Sequence, residues 1–140
     1  MKCLILNILL LTSAGLLYGQ SKKQEVYYLA DTLSANASNN ILTIDKEGPL
    51  YGYLFHCRCI KENNAFYVGF VYDMRKATPE KFSQLPQHKY LSWKELENML
   101  YEKQRQFDLH FSLHIVEKLP DGSFMKNEVR LLFPNGRVTH

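Results

Sequence analysis

The sequence predicts an α+β fold, an antiparallel sheet of about four to six strands with one main helix packed on one face. Three observations point there. Residues 50–60 and 66–74 alternate apolar and polar side chains around a polar turn, which is the period of a hairpin. Residues 109–116 and 125–133 do the same around Pro120, Asp121 and Gly122. Between these hairpins, Trp93, Leu96, Leu100 and Phe107 fall on one helical stripe.

The chain opens with Lys2 and an apolar stretch over residues 4–17, whose polar interruptions are Asn7, Thr12 and Ser13. It ends at Tyr18, Gly19 and Gln20. A charged lead, a short apolar core and a small residue are the parts of a secretory signal. A membrane span needs about 20 predominantly apolar residues, and this stretch is shorter. We therefore expect residues 1–19 to be a signal cleaved after Gly19, and residues 20–140 to form a single small α+β domain that is secreted or periplasmic. Cys3 precedes the apolar core, where it takes no lipid, so no stable membrane anchor is expected after cleavage.

Composition supports a folded domain. Apolar residues make up 46% of the chain and aromatics 13%, which is enough for a core and too much for intrinsic disorder. The formal charge of +3 falls by one when Lys2 leaves, and it is evenly spread. This argues against nucleic acid as a partner.

The first strand is expected around Val26, Tyr27, Tyr28 and Leu29. Residues 31–40, rich in Ala, Ser and Asn, read as a loop carrying the glycosylation sequon Asn36, Ala37, Ser38. Residues 41–44 are a candidate short strand before a turn at Glu47, Gly48 and Pro49. In the first hairpin, matching apolar stripes sets Cys59 opposite Phe66, Cys57 opposite Val68 and Phe55 opposite Phe70, with a turn of about two or four residues. Thr78, Pro79 and Glu80 suit a single capped helical turn. Ser92 and Glu95 form a capping box, which starts a helix over residues 93–106. In the second hairpin a three-residue loop pairs Leu113 with Val129, Phe111 with Leu131 and Leu109 with Phe133. A two-residue loop would turn the apolar stripe into water. Pro134, Asn135 and Gly136 end the last strand.

Three constellations carry candidate chemistry. Cys57 and Cys59, with His56, His110 and His114, have ligand types that suit zinc or copper. The stripes point the thiols inward and the imidazoles outward, so two buried free thiols are expected, and neither metal nor cofactor. A bridge between the two cysteines would need a local bend, because Cα atoms two apart on a strand lie about 6.6 Å apart.

The second constellation is the outer face of the last hairpin, with His114 opposite Glu128, Ser112 opposite Arg130, and Lys126 and His110 nearby. It suggests a hydrolase, but Ser112 and His114 stand parallel on one strand and no nucleophile elbow occurs. The third is aromatic richness, with Tyr67 opposite Arg58 on the outer face as a candidate recognition pair. No nucleotide, dinucleotide, zinc-protease or calcium motif is present. The expected role is a non-enzymatic module that binds a protein, peptide or small ligand, with Arg58, Tyr67, His110, His114, Glu128 and Arg130 as candidate binding residues. The alternatives are a small hydrolase-like enzyme without a local signature, and a metal-handling protein using Cys57 and Cys59.

Overall fold

Apolar alternation closes the chain into a mixed sheet. The computed structural model describes residues 22–30, 41–47, 50–61, 67–73, 75 and 78–132. The strands are β1 Gln24–Ala30, β2 Ile41–Glu47, β3 Leu50–His56, β4 Tyr67–Asp73, β5 Glu80–Phe82, β6 Tyr90–Leu91, β7 Phe111–Lys118 and β8 Phe124–Leu132. Helix α1 is Trp93–Lys103, and a 3₁₀ turn, Gln104–Gln106, leads into the short α2, Phe107–His110. Seven strands follow the order β2-β3-β4-β8-β7-β1-β6, and β5 pairs alongside β8. The predicted signal, the sequon, the turn residues 62–64, and residues 133–136 lie outside the described residues.

The α+β class holds, but the sheet is larger than expected and not purely antiparallel. β1 runs parallel to both β7 and β6. A period of two is the same in either direction, so alternation within β1 carries no information about its orientation. Residues 80–82 form a strand where Thr78, Pro79 and Glu80 suggested a helical turn. They pair with residues 124–126 of β8, and a ladder on an open edge outcompetes a lone helical turn with its costly nucleus.

The last hairpin forms as expected. Leu113 pairs with Val129 and His114 with Glu128. Gly122 takes φ 82°, its N–H donates to the Leu119 carbonyl at 2.9 Å, and Leu119 N–H donates to the Ser123 carbonyl at 2.8 Å. A three-residue loop results. Its far end differs, because Leu109 and His110 belong to α2 and β7 begins only at Phe111. The Asp108 carboxylate accepts from Leu131 N–H at 3.0 Å, taking a donor that would otherwise continue the ladder. Ser112 sits opposite Glu25 of β1.

The first hairpin keeps the expected faces but is shifted by two. Phe55 pairs with Val68, Tyr53 with Phe70 and His56 with Tyr67. A shift of two preserves both stripes, so stripe matching alone does not separate the two registers. The strand stops at His56 because Cys57 and Cys59 are joined by a disulfide, with their Cα atoms 5.3 Å apart. Burial at 2% and 1% exposure agrees with the sequence reading, but the expected free thiols are replaced by the bridge. The same shift sets Tyr67 opposite His56 in place of Arg58.

Helix α1 packs on the inner face. Its capping box is complete, with Glu95 N–H donating to Ser92 Oγ at 3.3 Å and Ser92 N–H donating to the Glu95 carboxylate at 2.7 Å. Leu96 and Leu100 are fully buried, and Trp93 stacks on Phe55 at 5.0 Å. Each buried side chain of this size contributes about 1.5–3 kcal/mol. Gln104, with φ 50°, ends the helix and ties it to the disulfide loop. Its Nε2 donates to the carbonyls of Tyr101 at 2.7 Å and Cys59 at 2.9 Å, and its Oε1 accepts from Lys61 N–H at 3.0 Å. These three bonds hold a conformation that non-glycine residues rarely adopt.

Candidate functional site

One edge of β8 is shared by two strands. β4 covers residues 130–132 and β5 covers residues 124–126, so among the described residues 127–129 have no strand partner on that side. A cavity of about 110 Å³ opens at this gap. Tyr72, Thr78, Pro79, Glu80, His114, Lys126, Asn127 and Glu128 line it. Lys126 pairs with Glu80 at 3.0 Å, across the β5–β8 ladder.

Stacking holds the His114 ring. Tyr27 of β1 is its parallel neighbour and lies on it at 4.9 Å and 16°, and His88 covers the other face of Tyr27 at 3.8 Å and 5°. The Tyr27 hydroxyl donates to Glu25 at 2.8 Å. Burial holds the His114 pKa below the usual imidazole value, against the opposing pull of Glu128. Its Nδ1 is buried and has no hydrogen-bond partner.

Behind the cavity the inner face turns polar. Glu117 is 6% exposed and Asn127 is 2% exposed. Tyr51 and Tyr53 each donate a hydroxyl to the Glu117 carboxylate at 3.1 Å, and Asn127 Nδ2 donates to the Tyr53 oxygen at 2.6 Å. Burial raises the Glu117 pKa, opposed by the two phenol hydrogen bonds. It also raises those of Tyr51, Tyr53 and Tyr72, and the neighbouring Glu117 charge adds to each. Asn127 Oδ1 is buried and unpartnered. Tyr72 and Asn127 therefore belong both to this cluster and to the cavity wall.

The structure brings some predicted residues together and separates others. His114 and Glu128 line the gap cavity. Glu128 and Arg130 line a second cavity of about 120 Å³, with Lys23, Arg105, Asp108 and Ser112 among its walls. Arg58, Tyr67 and His110 line neither cavity. Tyr67 is exposed beside His56, and His110 ends α2. Ser112 Oγ donates to Glu128 Oε1 at 2.6 Å, so its proton is directed to a carboxylate. Among the described residues no three His, Cys, Asp or Glu side chains are grouped to hold a metal, and the disulfide occupies both sulfurs.

Sequence reasoning missed Glu117, Asn127, Tyr51, Tyr53 and Tyr72 as a group. The signal was present: residue 117 continues the apolar stripe of residues 111, 113 and 115, and residue 127 lies on that of 125, 129 and 131. Two polar residues on buried stripes of paired strands mark a buried polar contact. Comparison with protein-family models, with curated proteins and with solved structures finds no match. No described helix is long and apolar enough to cross a membrane.

Proposed function

We propose that the chain is an exported binding module that takes a small polar ligand in the gap cavity between β4 and β5. One observation carries the reading. Two buried polar atoms without partners, His114 Nδ1 and Asn127 Oδ1, belong to residues lining that same cavity. An unsatisfied buried polar group costs about 1–3 kcal/mol, and such groups in native proteins mark the place of a ligand, an ion or water. The walls fit this role. A stacked His, a neutral amide and several charged groups converge on a space smaller than the roughly 150 Å³ cavity that admits benzene.

Export follows from the signal read at residues 1–19 and is tested by the N-terminus of the secreted product, which should begin at Gln20. Binding is tested by thermal denaturation against a panel of small amines, acids and polyols. Saturable stabilisation by one class, lost in both His114→Phe and Asn127→Leu, supports the site. Equal stabilisation of these variants places the ligand elsewhere and sinks the reading.

A further inference from the structure

We propose that the cavity selects a small primary ammonium, and that buried Glu117, acting through Tyr53, sets which end of the Asn127 amide the ligand meets. The inference rests on the cavity being a ligand site. The hydrogen-bond inventory allows one arrangement around an ionised carboxylate, which only accepts. Tyr51 and Tyr53 each have a single hydroxyl proton, and both donate to Glu117 at 3.1 Å. The Tyr53 oxygen can then only accept, so Asn127 turns Nδ2 toward it at 2.6 Å. The end left over is the carbonyl oxygen Oδ1, unpaired on a residue 2% exposed that lines the cavity. Asn127 therefore offers the cavity an acceptor, and the negative charge at the end of the chain strengthens it.

The remaining groups favour the same ligand. Two wall carboxylates, Glu80 and Glu128, outnumber the single wall ammonium, Lys126, which pairs with Glu80 at 3.0 Å. His114 Nδ1, buried and without a partner, is the other orphaned atom among the residues of the wall. A cation with several N–H donors suits an orphaned acceptor flanked by wall carboxylates. About 110 Å³ admits the head of such a molecule and little more.

Protonation of Glu117 reverses the chain. A neutral carboxyl donates to Tyr53, Tyr53 donates to Oδ1, and the amide turns over to present Nδ2, a donor that repels ammonium. The titratable groups facing Glu117 are Tyr51 and Tyr53 on β3 and Tyr72 on β4. Its strand neighbours, Ala30 on β1 and Met125 on β8, do not titrate. The charged and titratable side chains at the cavity wall are His114, Glu80, Lys126 and Glu128.

The test is a titration of the isotope-labelled protein with methylammonium chloride and, separately, sodium acetate, followed by nuclear magnetic resonance. Methylammonium should shift the Asn127 side-chain amide and His114 ring signals saturably, and acetate should not. Glu117→Gln, whose carboxamide donates to Tyr53 as the protonated acid does, should weaken methylammonium at least tenfold. Glu117→Asp should restore part of the loss, and Tyr53→Phe should reproduce it. In the unaltered protein the affinity should fall with pH along the titration of the Glu117 carboxyl carbon. Unchanged affinity in Glu117→Gln, or a preference for acetate, overturns this inference and leaves the cavity as a ligand site. No saturable response from any panel compound overturns both.

Discussion

The two ends of the inner sheet face are built on opposite terms. At one end Phe55, Val68, Phe70 and Leu113 meet Leu96, Leu100 and Phe107 in an apolar contact closed by α1. At the other, Tyr51, Tyr53, Tyr72 and Asn127 surround one carboxylate. The apolar end gains from every ångström of area it removes from water and tolerates many equivalent packings. The polar end gains little net energy but admits very few arrangements, because each donor must find its acceptor. The first end therefore supplies stability, and the second supplies a fixed geometry beside a cavity.

Three experiments sharpen that contrast. The largest effect is expected at the apolar end, where Phe55→Ala should cost about 3–5 kcal/mol in urea unfolding, since the ring is wholly buried between Trp93, Phe70 and Tyr28. A loss under about 1 kcal/mol would mean that the helix does not close on this face. At the polar end Tyr53→Phe removes one oxygen and no volume. It should cost about 1–3 kcal/mol by leaving Asn127 and Glu117 each short of a partner. A neutral outcome would show that the cluster is hydrated.

The smallest effect is a pair of opposed pH slopes. Glu117 has a raised pKa, so its contribution is complete below its ordinary value of 4.5 and is lost as pH rises through the native value. His114 has a lowered pKa, so its contribution is complete above 6.5 and is lost as pH falls through its native value. Unfolding midpoints measured across pH should lose the alkaline-side decline in Glu117→Gln and the acid-side decline in His114→Gln. Identical profiles in the two variants would contradict both assignments.

How much of this was legible in the sequence depended on how local each feature is. The capping box of Ser92 and Glu95 and the Gly122 loop are set within a few residues and formed as read. The helix begins at Trp93 but ends at Lys103, three residues short of the expected end, with Phe107 on α2. The register of the last hairpin followed from its loop. The first hairpin has a ten-residue connection, 57–66, so nothing local separated two registers that share a face. The parallel pairing of β1 and the docking of β5 depend on partners far along the chain. Of the candidate site, His114 and Glu128 were found because they face each other across a hairpin. Their inner-face neighbours were not, because Glu117 and Tyr53 meet only after four strands have assembled.

The place of β1 between β7 and the edge strand β6 bears on the order in which the chain can fold. Gln24 has to wait for Phe111 and Tyr27 for His114, so the earliest part of the domain cannot settle until nearly the last has been delivered. Long-range pairing of this kind is slow, because loop closure must precede any reward from contact. The hairpins β2–β3–β4 and β7–β8 can form from neighbouring segments, and β1 is left to find its register against a pair already made.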